Sequence, residues 1–177
     1  MIKQYITLLN SGNFEQQFLE EIVETITDEF RIQIKIIETR MDLSKFYDPS
    51  RKQYNGNKLL EEVSSRIKRN SLKTIGLFRV DIFIPILTYI FGQAYLNGES
   101  GIASTYRLKN EYYGLKSDEL LLQDRFSKEI IHELGHTFGL KHCHVPACVM
   151  VSSTYVEDID QKSASFCIKC KNEMNLL

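Results

Sequence analysis

The sequence has no tryptophan, only three prolines and no low-complexity stretch. Its apolar runs are short, since the longest, from Ile82 to Phe91, is interrupted by Pro85 and falls well below the roughly 18–20 residues of a membrane span. Neither sign of charge dominates, because 22 Lys and Arg stand against 23 Asp and Glu. This balance argues against a polyanion-binding surface. We therefore expect a soluble protein with neither a membrane nor a nucleic acid among its partners.

The N-terminus also lacks the features of an export signal. Its first ten residues carry one lysine and a brief apolar stretch interrupted by Thr7, which is too little for a secretory segment. We therefore expect a cytoplasmic location. With 177 residues, of which 43% are hydrophobic, the chain can bury one sizeable core. The expectation is a monomer with a single domain over residues 1–177, made of an N-terminal part (1–139) and a C-terminal part (140–177).

Hydrophobic periodicity predicts a fold of mixed α/β class. The N-terminal residues up to Asn10 contain an apolar strand, and Phe14 begins a stripe with a spacing of four that predicts a helix capped by Asn13. Alternation, β-branched residues and turn signals predict the remaining elements. The predicted strands cover residues 5–9, 31–38, 73–83, 87–95 and 101–108, the later helices cover 58–68 and 117–139, and an ordered surface loop covers 42–56. The last strand alternates weakly and has glycine and charge beside it, so we expect it at a sheet edge.

The chemistry is concentrated near the C-terminus, where all four histidines and all four cysteines lie between positions 132 and 170. His132 and His136 are four residues apart on the last predicted helix, so one face presents both rings to a single ion, with Glu133 beside them. Such an HExxH pattern is typical of zinc sites, which use neutral imidazoles and keep a position open for water. The alternative is a helix that merely carries surface histidines.

Gly139 is suited to end this helix, because glycine readily takes a left-handed conformation. After such a turn His142 can return to the ion as a third ligand, which completes the pattern HExxHxxGxxH. His144 lies outside the pattern and is more simply a loop histidine. Gly135 is compatible either with close helix packing or with tolerance near a helix end.

The cysteines predict a second metal site. Cys143, Cys148, Cys167 and Cys170 have the spacing C-x4-C-x18-C-x2-C, and four thiolates close a structural zinc tetrahedron. A thioredoxin-like redox role for the CxxC pair lacks the usual strand and helix context. A zinc-ribbon nucleic-acid binder would need a basic face, but acidic neighbours offset the nearby Lys162, Lys169 and Lys171.

Together, these motifs resemble those of the archaemetzincins, a family of the metzincin clan of zinc metallopeptidases. The resemblance comprises the histidine motif ending in Cys143, then Cys148, Met150 and the CxxC pair, with weaker similarity at Phe91-Gly92-Gln93-Ala94 and around Asp48-Pro49. It implies a metzincin-like α/β fold with a mixed twisted sheet, a backing helix, an active-site helix under a cleft, and a small C-terminal part with the four-cysteine zinc site.

The resemblance also implies roles for individual residues. His132, His136 and His142 would bind a catalytic zinc, the four cysteines a structural zinc, and Met150 would be the Met-turn residue. Glu133 would be the general acid and base that activates the zinc-bound water to hydrolyse a peptide or protein substrate lying along the edge strand predicted at 101–108. The position two after Met150, where metzincins commonly place tyrosine, is Ser152. The alternative is a proteolytically silent zinc-binding scaffold.

Overall fold

The computed structural model describes residues 4–174 and contains two β-sheets and five α-helices in that range. The three outermost residues at each end of the chain lie outside the described part. The strands are β1 (Tyr5–Asn10), β2 (Ile34–Glu38), β3 (Tyr47–Asp48), β4 (Gln53–Asn55), β5 (Ser71–Phe78), β6 (Ile82–Ile84), β7 (Leu87–Ile90), β8 (Gly92–Ala94) and β9 (Ser100–Ser104). The helices are α1 (Gln16–Phe30), α2 (Gly56–Ser64), α3 (Glu119–Thr137), α4 (Val156–Asp160) and α5 (Ile168–Glu173).

The larger sheet is mixed, with the order β2-β1-β5-β9-β8. Its first three pairings are parallel, and only β8 runs antiparallel to its neighbour. Successive strand residues point to opposite faces, so Ile6 and Leu8 of β1 enter one hydrophobic cluster while Leu9 enters the other. The sheet is therefore covered on both sides, and the mixed α/β prediction is confirmed.

The two faces of this sheet receive different helices. Helices α1 and α3 pack together on one face through the cluster that contains Phe18, Ile22 and Phe126. Helix α2 covers the other face with Leu59, Leu60 and Val63. It approaches β5 closely, because a Cβ atom added at Gly76 would lie 2.5 Å from a Val63 methyl carbon.

The second sheet is small, with the order β3-β4-β6-β7, and it explains several differences from the prediction. The surface loop predicted at 42–56 contains β3 and β4. The predicted strands 73–83 and 87–95 each divide between the two sheets, since β5 and β8 belong to the larger sheet and β6 and β7 to the smaller one. Local alternation detects extended backbone but carries no information on which sheet an extended segment joins.

The predicted edge strand at 101–108 is wrong. Strand β9 is buried throughout and lies between β5 and β8, while residues Tyr106–Leu108 form a 3₁₀ turn. Its weak alternation has a physical cause, because a strand covered on both faces has no solvent side. The edge at this end of the larger sheet is β8.

Helix starts also differ from the predictions. Asn13 has a positive φ of 50° and does not cap α1, whose N-cap is Glu15. Asn10 holds this turn instead, since its side chain accepts a hydrogen bond from the Phe14 N–H and donates one to the Phe14 carbonyl. Helix α2 begins at Gly56, two residues before its predicted start, behind an Asn55 side-chain cap.

The C-terminal part packs against the rest of the described chain. Buried side chains of α4 and its neighbouring loops, including Val149, Ile159 and Phe166, join the same cluster as α1 and α3. Arg125 on α3 makes a bidentate pair with Asp160 on α4, with both distances 2.7 Å. None of the helices in residues 4–174 combines the length and apolar character of a membrane span.

Candidate metal centres and the active-site cleft

Helix α3 presents the first two histidines of the motif. The His132 Nδ1 atom lies 2.8 Å from the Val149 carbonyl oxygen, and the His136 Nδ1 atom lies 2.7 Å from the Leu140 carbonyl oxygen. A carbonyl only accepts, so both Nδ1 atoms carry the proton and both Nε2 lone pairs are available. These Nε2 atoms are 3.0 Å apart and face the same point. The protein thus fixes the tautomers that a metal requires.

His142 joins this pair after a sharp turn. Gly139 adopts a φ of 95°, and Gly139 N–H donates to the His136 carbonyl at the helix end. The His142 ring centroid lies 5.3 Å from that of His132 and 5.0 Å from that of His136. One nitrogen from each of the three rings lies within 4.8 Å of the others, so the three residues can hold one ion. Burial lowers the pKa of each imidazole, most strongly for His132, which favours the neutral ligand form.

Two buried carboxyl groups lie beside the histidines. Glu133 is 4% exposed and Glu129, one turn earlier, is 5% exposed. Burial, and then the negative charge of Glu129, raise the pKa of Glu133 well above its usual value. The Oε2 atom of Glu133 is buried and has no hydrogen-bond partner among the described residues. It is therefore available to a group that enters from outside.

These residues lie in a cleft of about 460 Å³ between α3 and the edge strand β8. The Phe91 carbonyl accepts a hydrogen bond from Ser104 N–H, and Tyr95 N–H donates one to the Ser100 carbonyl. The backbone polar groups of Phe91 and Tyr95 therefore point towards β9. Because backbone direction alternates along a strand, the N–H and C=O groups of Gly92 and Ala94 point away from β9. The cleft thus has an unpaired strand edge along one wall.

Met150 packs against α3 at Gly135 and explains the glycine there. The Met150 side chain is fully buried, and a Cβ atom added at Gly135 would overlap its sulfur and come within 3.0 Å of Phe166. The packing interpretation of Gly135 therefore agrees with the structure. Met150 also fixes the local loop, because its carbonyl accepts from Cys143 N–H at 2.9 Å.

The four cysteines converge a short distance from the histidines. Their sulfur atoms all lie within 4.8 Å of one another, with 3.8 Å both from Cys143 to Cys167 and from Cys148 to Cys170. A tetrahedron with Zn–S bonds of about 2.3 Å has edges of about 3.8 Å, so this arrangement fits zinc. Burial raises the pKa of the Cys148 and Cys170 thiols, and a bound cation would offset that effect.

Two charged residues of the cleft were not among the predicted site residues. Glu129 lies one helical turn before Glu133, so helical spacing could have indicated it. Lys162 is 5% exposed and reaches the cleft from the segment after α4, which no local pattern indicates. Ser152 lines the cleft, whereas His144 is exposed and belongs to neither ligand group.

Comparisons with known proteins agree with this architecture. The model of peptidase family M54 matches residues 11–176. An archaemetzincin from Pyrococcus horikoshii is 39% identical over 166 residues, which cover 90% of this chain and 87% of that protein. The crystal structure of a zinc-dependent peptidase from Methanocorpusculum labreanum superposes with a TM-score of 0.87 at 27% identity, covering 96% of this chain and all of that one. Archaemetzincin from Methanopyrus kandleri gives a TM-score of 0.82 at 30% identity, covering 97% of this chain and 94% of that one.

The fold, the histidine motif and these similarities define the class of protein, a zinc metallopeptidase. The chain belongs to peptidase family M54, and its resemblance to the archaemetzincins is confirmed.

Proposed function

We propose that this protein hydrolyses peptide bonds at a zinc ion held by His132, His136 and His142, with Glu133 as the general base. One observation carries the proposal. In the same cleft, the three imidazoles converge on one point, and the neighbouring Glu133 has a buried carboxylate oxygen without a partner in the described structure.

The separate roles of zinc and of Glu133 follow from the chemistry of a metal ion and a carboxylate. When bound, zinc supplies a Lewis acid that polarises the scissile carbonyl and acidifies water. Glu133 takes the proton of the attacking water on a carboxylate oxygen and passes it to the leaving amine. Burial of this carboxyl group excludes bulk water, which strengthens its interaction with the substrate.

The unpaired edge of β8 supports an extended peptide as the substrate. A peptide strand beside β8 would pair with the main chain of Gly92 and Ala94, which provides affinity without a side-chain requirement. The substrate therefore lies on β8 and not on residues 101–108. A flanking segment with Ser152 and Thr154 lines the cavity and would contact the peptide's side chains.

The four cysteines are proposed to hold a second, structural zinc. Four thiolates leave no open position for water, so this ion would fasten the loop from His142 to Met150 and take no part in the reaction. The formal charge of the chain stays at -1 in this arrangement, because four thiolates and two zinc ions carry equal and opposite charge.

The first test combines metal analysis with peptide cleavage. We expect the wild type to bind two zinc ions per chain, one in each ligand group, and to cleave members of an unbiased peptide mixture. His142→Ala should bind one zinc ion and lose cleavage, because it removes one of three ligands from the histidine site. Inductively coupled plasma mass spectrometry and peptide mass spectrometry measure the two quantities. Unchanged zinc content would remove His142 from the ligand set, and a wild type with both ions but no cleavage would support the scaffold alternative.

Gly92 provides a second test, because it holds β8 close to the carboxyl pair. A Cβ atom added at Gly92 would lie 2.7 Å from the Ile102 carbonyl oxygen, 2.8 Å from Glu133 Cγ and 2.9 Å from Glu129 Oε1. We expect Gly92→Ala to lower kcat by about tenfold or more, since displacements of an ångström matter at a reacting group, and to destabilise the protein by about 1–3 kcal/mol. Steady-state kinetics and urea unfolding measure these effects.

Zinc content is the control for Gly92→Ala. The added methyl group meets the carboxylates and the β9 backbone, so both zinc ions should remain. Wild-type kcat in the folded variant would show that Glu133 tolerates displacement and would argue against its role as the base.

A further inference from the structure

Lys162 is a buried cation in the cleft. Its side chain is 5% exposed, and it lines the same cavity as Glu133 and His132. Among the described residues that line this cavity, Lys162 is the only lysine or arginine. The zinc ligands and general base proposed above leave this residue without a role.

The Lys162 ammonium group is only partly satisfied by the protein. Its Nζ atom donates one hydrogen bond to the Val151 carbonyl at 2.8 Å. A lysine has three N–H donors, and within residues 4–174 no other acceptor and no ion pair is found for this group. Two donors of a buried ammonium group therefore remain available to a group that enters the cleft, because a buried unpaired donor is unfavourable.

The segment that carries Lys162 is firmly anchored. Arg125 fixes the end of α4 through Asp160, and Lys162 N–H donates to the Ile159 carbonyl at 3.1 Å. Arg125 also donates to the Leu108 carbonyl at 2.7 Å. The one guanidinium group on α3 therefore holds both Asp160 at the end of α4 and the segment after β9. The ammonium position is therefore fixed before a substrate binds, as electrostatic stabilisation of a transition state requires.

The charge of Lys162 acts on both buried carboxyl groups, since it lowers the pKa of Glu129 and of Glu133 against the effect of burial. Within residues 4–174, however, neither carboxyl group comes close enough to Lys162 to form an ion pair, and the two hydrogen-bond to each other. The ammonium group therefore lines one cavity with the two carboxyl groups and the three histidines without being paired to either carboxylate. A substrate oxygen that enters this cavity would be able to accept a hydrogen bond from Lys162.

We propose that Lys162 is a further catalytic residue, which donates hydrogen bonds to the carbonyl oxygen of the scissile peptide as that oxygen becomes negatively charged. This inference rests on the proposed function. Water attacks the carbonyl carbon, the C=O π electrons move to the oxygen facing Lys162, and the water proton passes to Glu133. The oxygen's electron pair then re-forms the C=O bond as the C–N bond breaks, the C–N pair leaves with the amine nitrogen, and Glu133 returns the proton to that nitrogen.

The test compares charge-removing and charge-retaining variants in the zinc-loaded protein. Lys162→Met removes the donors, Lys162→Gln keeps an N–H donor without the charge, and Lys162→Arg keeps the charge. Lys128→Met is the matched control, because Lys128 is also buried (6% exposed) but pairs with Asp124 outside the cavity. The substrate is a blocked peptide without acidic residues, so no substrate carboxylate can bind Lys162.

We expect Lys162→Met and Lys162→Gln to lower kcat by about 10²–10³-fold, with KM changed by less than about threefold, because the bond strengthens only in the transition state. Lys162→Arg should recover at least about tenfold of this loss, and Lys128→Met should retain wild-type kinetics. Zinc content should stay unchanged in every variant, and each variant should remain folded at the assay temperature.

A binding measurement makes the test independent of turnover. A blocked phosphinic pseudo-tripeptide carries one negative charge shared by two oxygens on a tetrahedral phosphorus, and its affinity should fall by about 10²-fold in Lys162→Met. The inference is overturned if this affinity is unchanged, if only KM rises, or if zinc is lost in parallel. If the wild type binds the phosphinic peptide but cleaves nothing, the proposed function fails while the titration still decides the role of Lys162.

Discussion

Glu133→Gln should bind both zinc ions and lose peptide hydrolysis. The amide has nearly the shape of the carboxylate but cannot accept the proton of the attacking water. General-base catalysis contributes about 10²–10⁴-fold, so we expect kcat/KM to fall within that range, or by about 3–5 kcal/mol of transition-state stabilisation. The ligand group contains only the three histidines, so its metal content should not change. Steady-state kinetics on a cleaved peptide and zinc analysis measure the two effects.

Glu129→Gln is the comparison that makes this result specific. Both carboxyl groups are buried, line the same cavity and hydrogen-bond to each other. If Glu133 is the base, Glu129→Gln should reduce kcat/KM less than Glu133→Gln does. A larger loss in Glu129→Gln would transfer the role of base to Glu129, and wild-type turnover in Glu133→Gln would contradict the proposed mechanism.

The active-site helix could be predicted closely from the sequence because its determinants are local. Periodicity places α3 within a few residues of its observed bounds, and Asp118 caps its start with a hydrogen bond from Leu121 N–H. The turn at Gly139 and the approach of His142 likewise depend on one positive-φ residue. Ligand spacing and backbone conformation together restrict such a motif to few geometries.

The cleft wall opposite α3 could not be predicted in the same way. Strand β9 lies inside the sheet because it pairs with β5, a strand more than twenty residues earlier in sequence, and β8 is at the edge because it pairs with β9 alone. The division of residues 71–84 between two sheets also depends on such long-range pairing. Periodicity along a segment reports how its own faces are buried, whereas strand order is decided by contacts between distant segments.

Lys162 and Glu129 illustrate two kinds of missed residue. Glu129 is related to Glu133 by one helical turn, so a search along the helix face would find it. In the sequence Lys162 is one of several charged residues near the cysteines, whereas in the fold it is buried in the cleft. Its position depends on the pair of Arg125 with Asp160, a contact between α3 and α4 that no local pattern indicates.

The two proposed metal centres are connected by the loop between them. His142 and Cys143 are adjacent, and the loop returns so that Cys143 N–H donates to the Met150 carbonyl. The Val149 carbonyl, next to Cys148, orients the His132 ring at 2.8 Å. The cysteine site is therefore in a position to determine the geometry of two of the three histidines.

Cys148→Ser should therefore empty both metal sites. Cys148 is 2% exposed, lies 3.8 Å from Cys170 and accepts a hydrogen bond from Cys167 N–H, so serine would leave an incomplete tetrahedron in a buried position. Structural zinc contributes to folding outright, and a loss of about 5 kcal/mol lowers Tm by roughly 10–20 °C in a chain of this size. We expect zinc content to fall from two ions towards none and cleavage to disappear. Metal analysis and calorimetry measure these changes.

The contrast with two other variants separates this coupling from general damage. His142→Ala removes a ligand from the histidine site only, so it should lose one zinc ion and keep most of its thermal stability. His144→Ala alters an exposed histidine beside Cys143 that belongs to neither ligand group, and it should behave as the wild type. If Cys148→Ser kept one zinc ion, full cleavage and the wild-type Tm, the cysteine site would not organise the histidine site.

Loss of both ions in Cys148→Ser, with loss of only one in His142→Ala, would show that the histidine site depends on the cysteine site and not the reverse. The reason is that the cysteine site supports the loop from His142 to Met150, on which the histidine site depends.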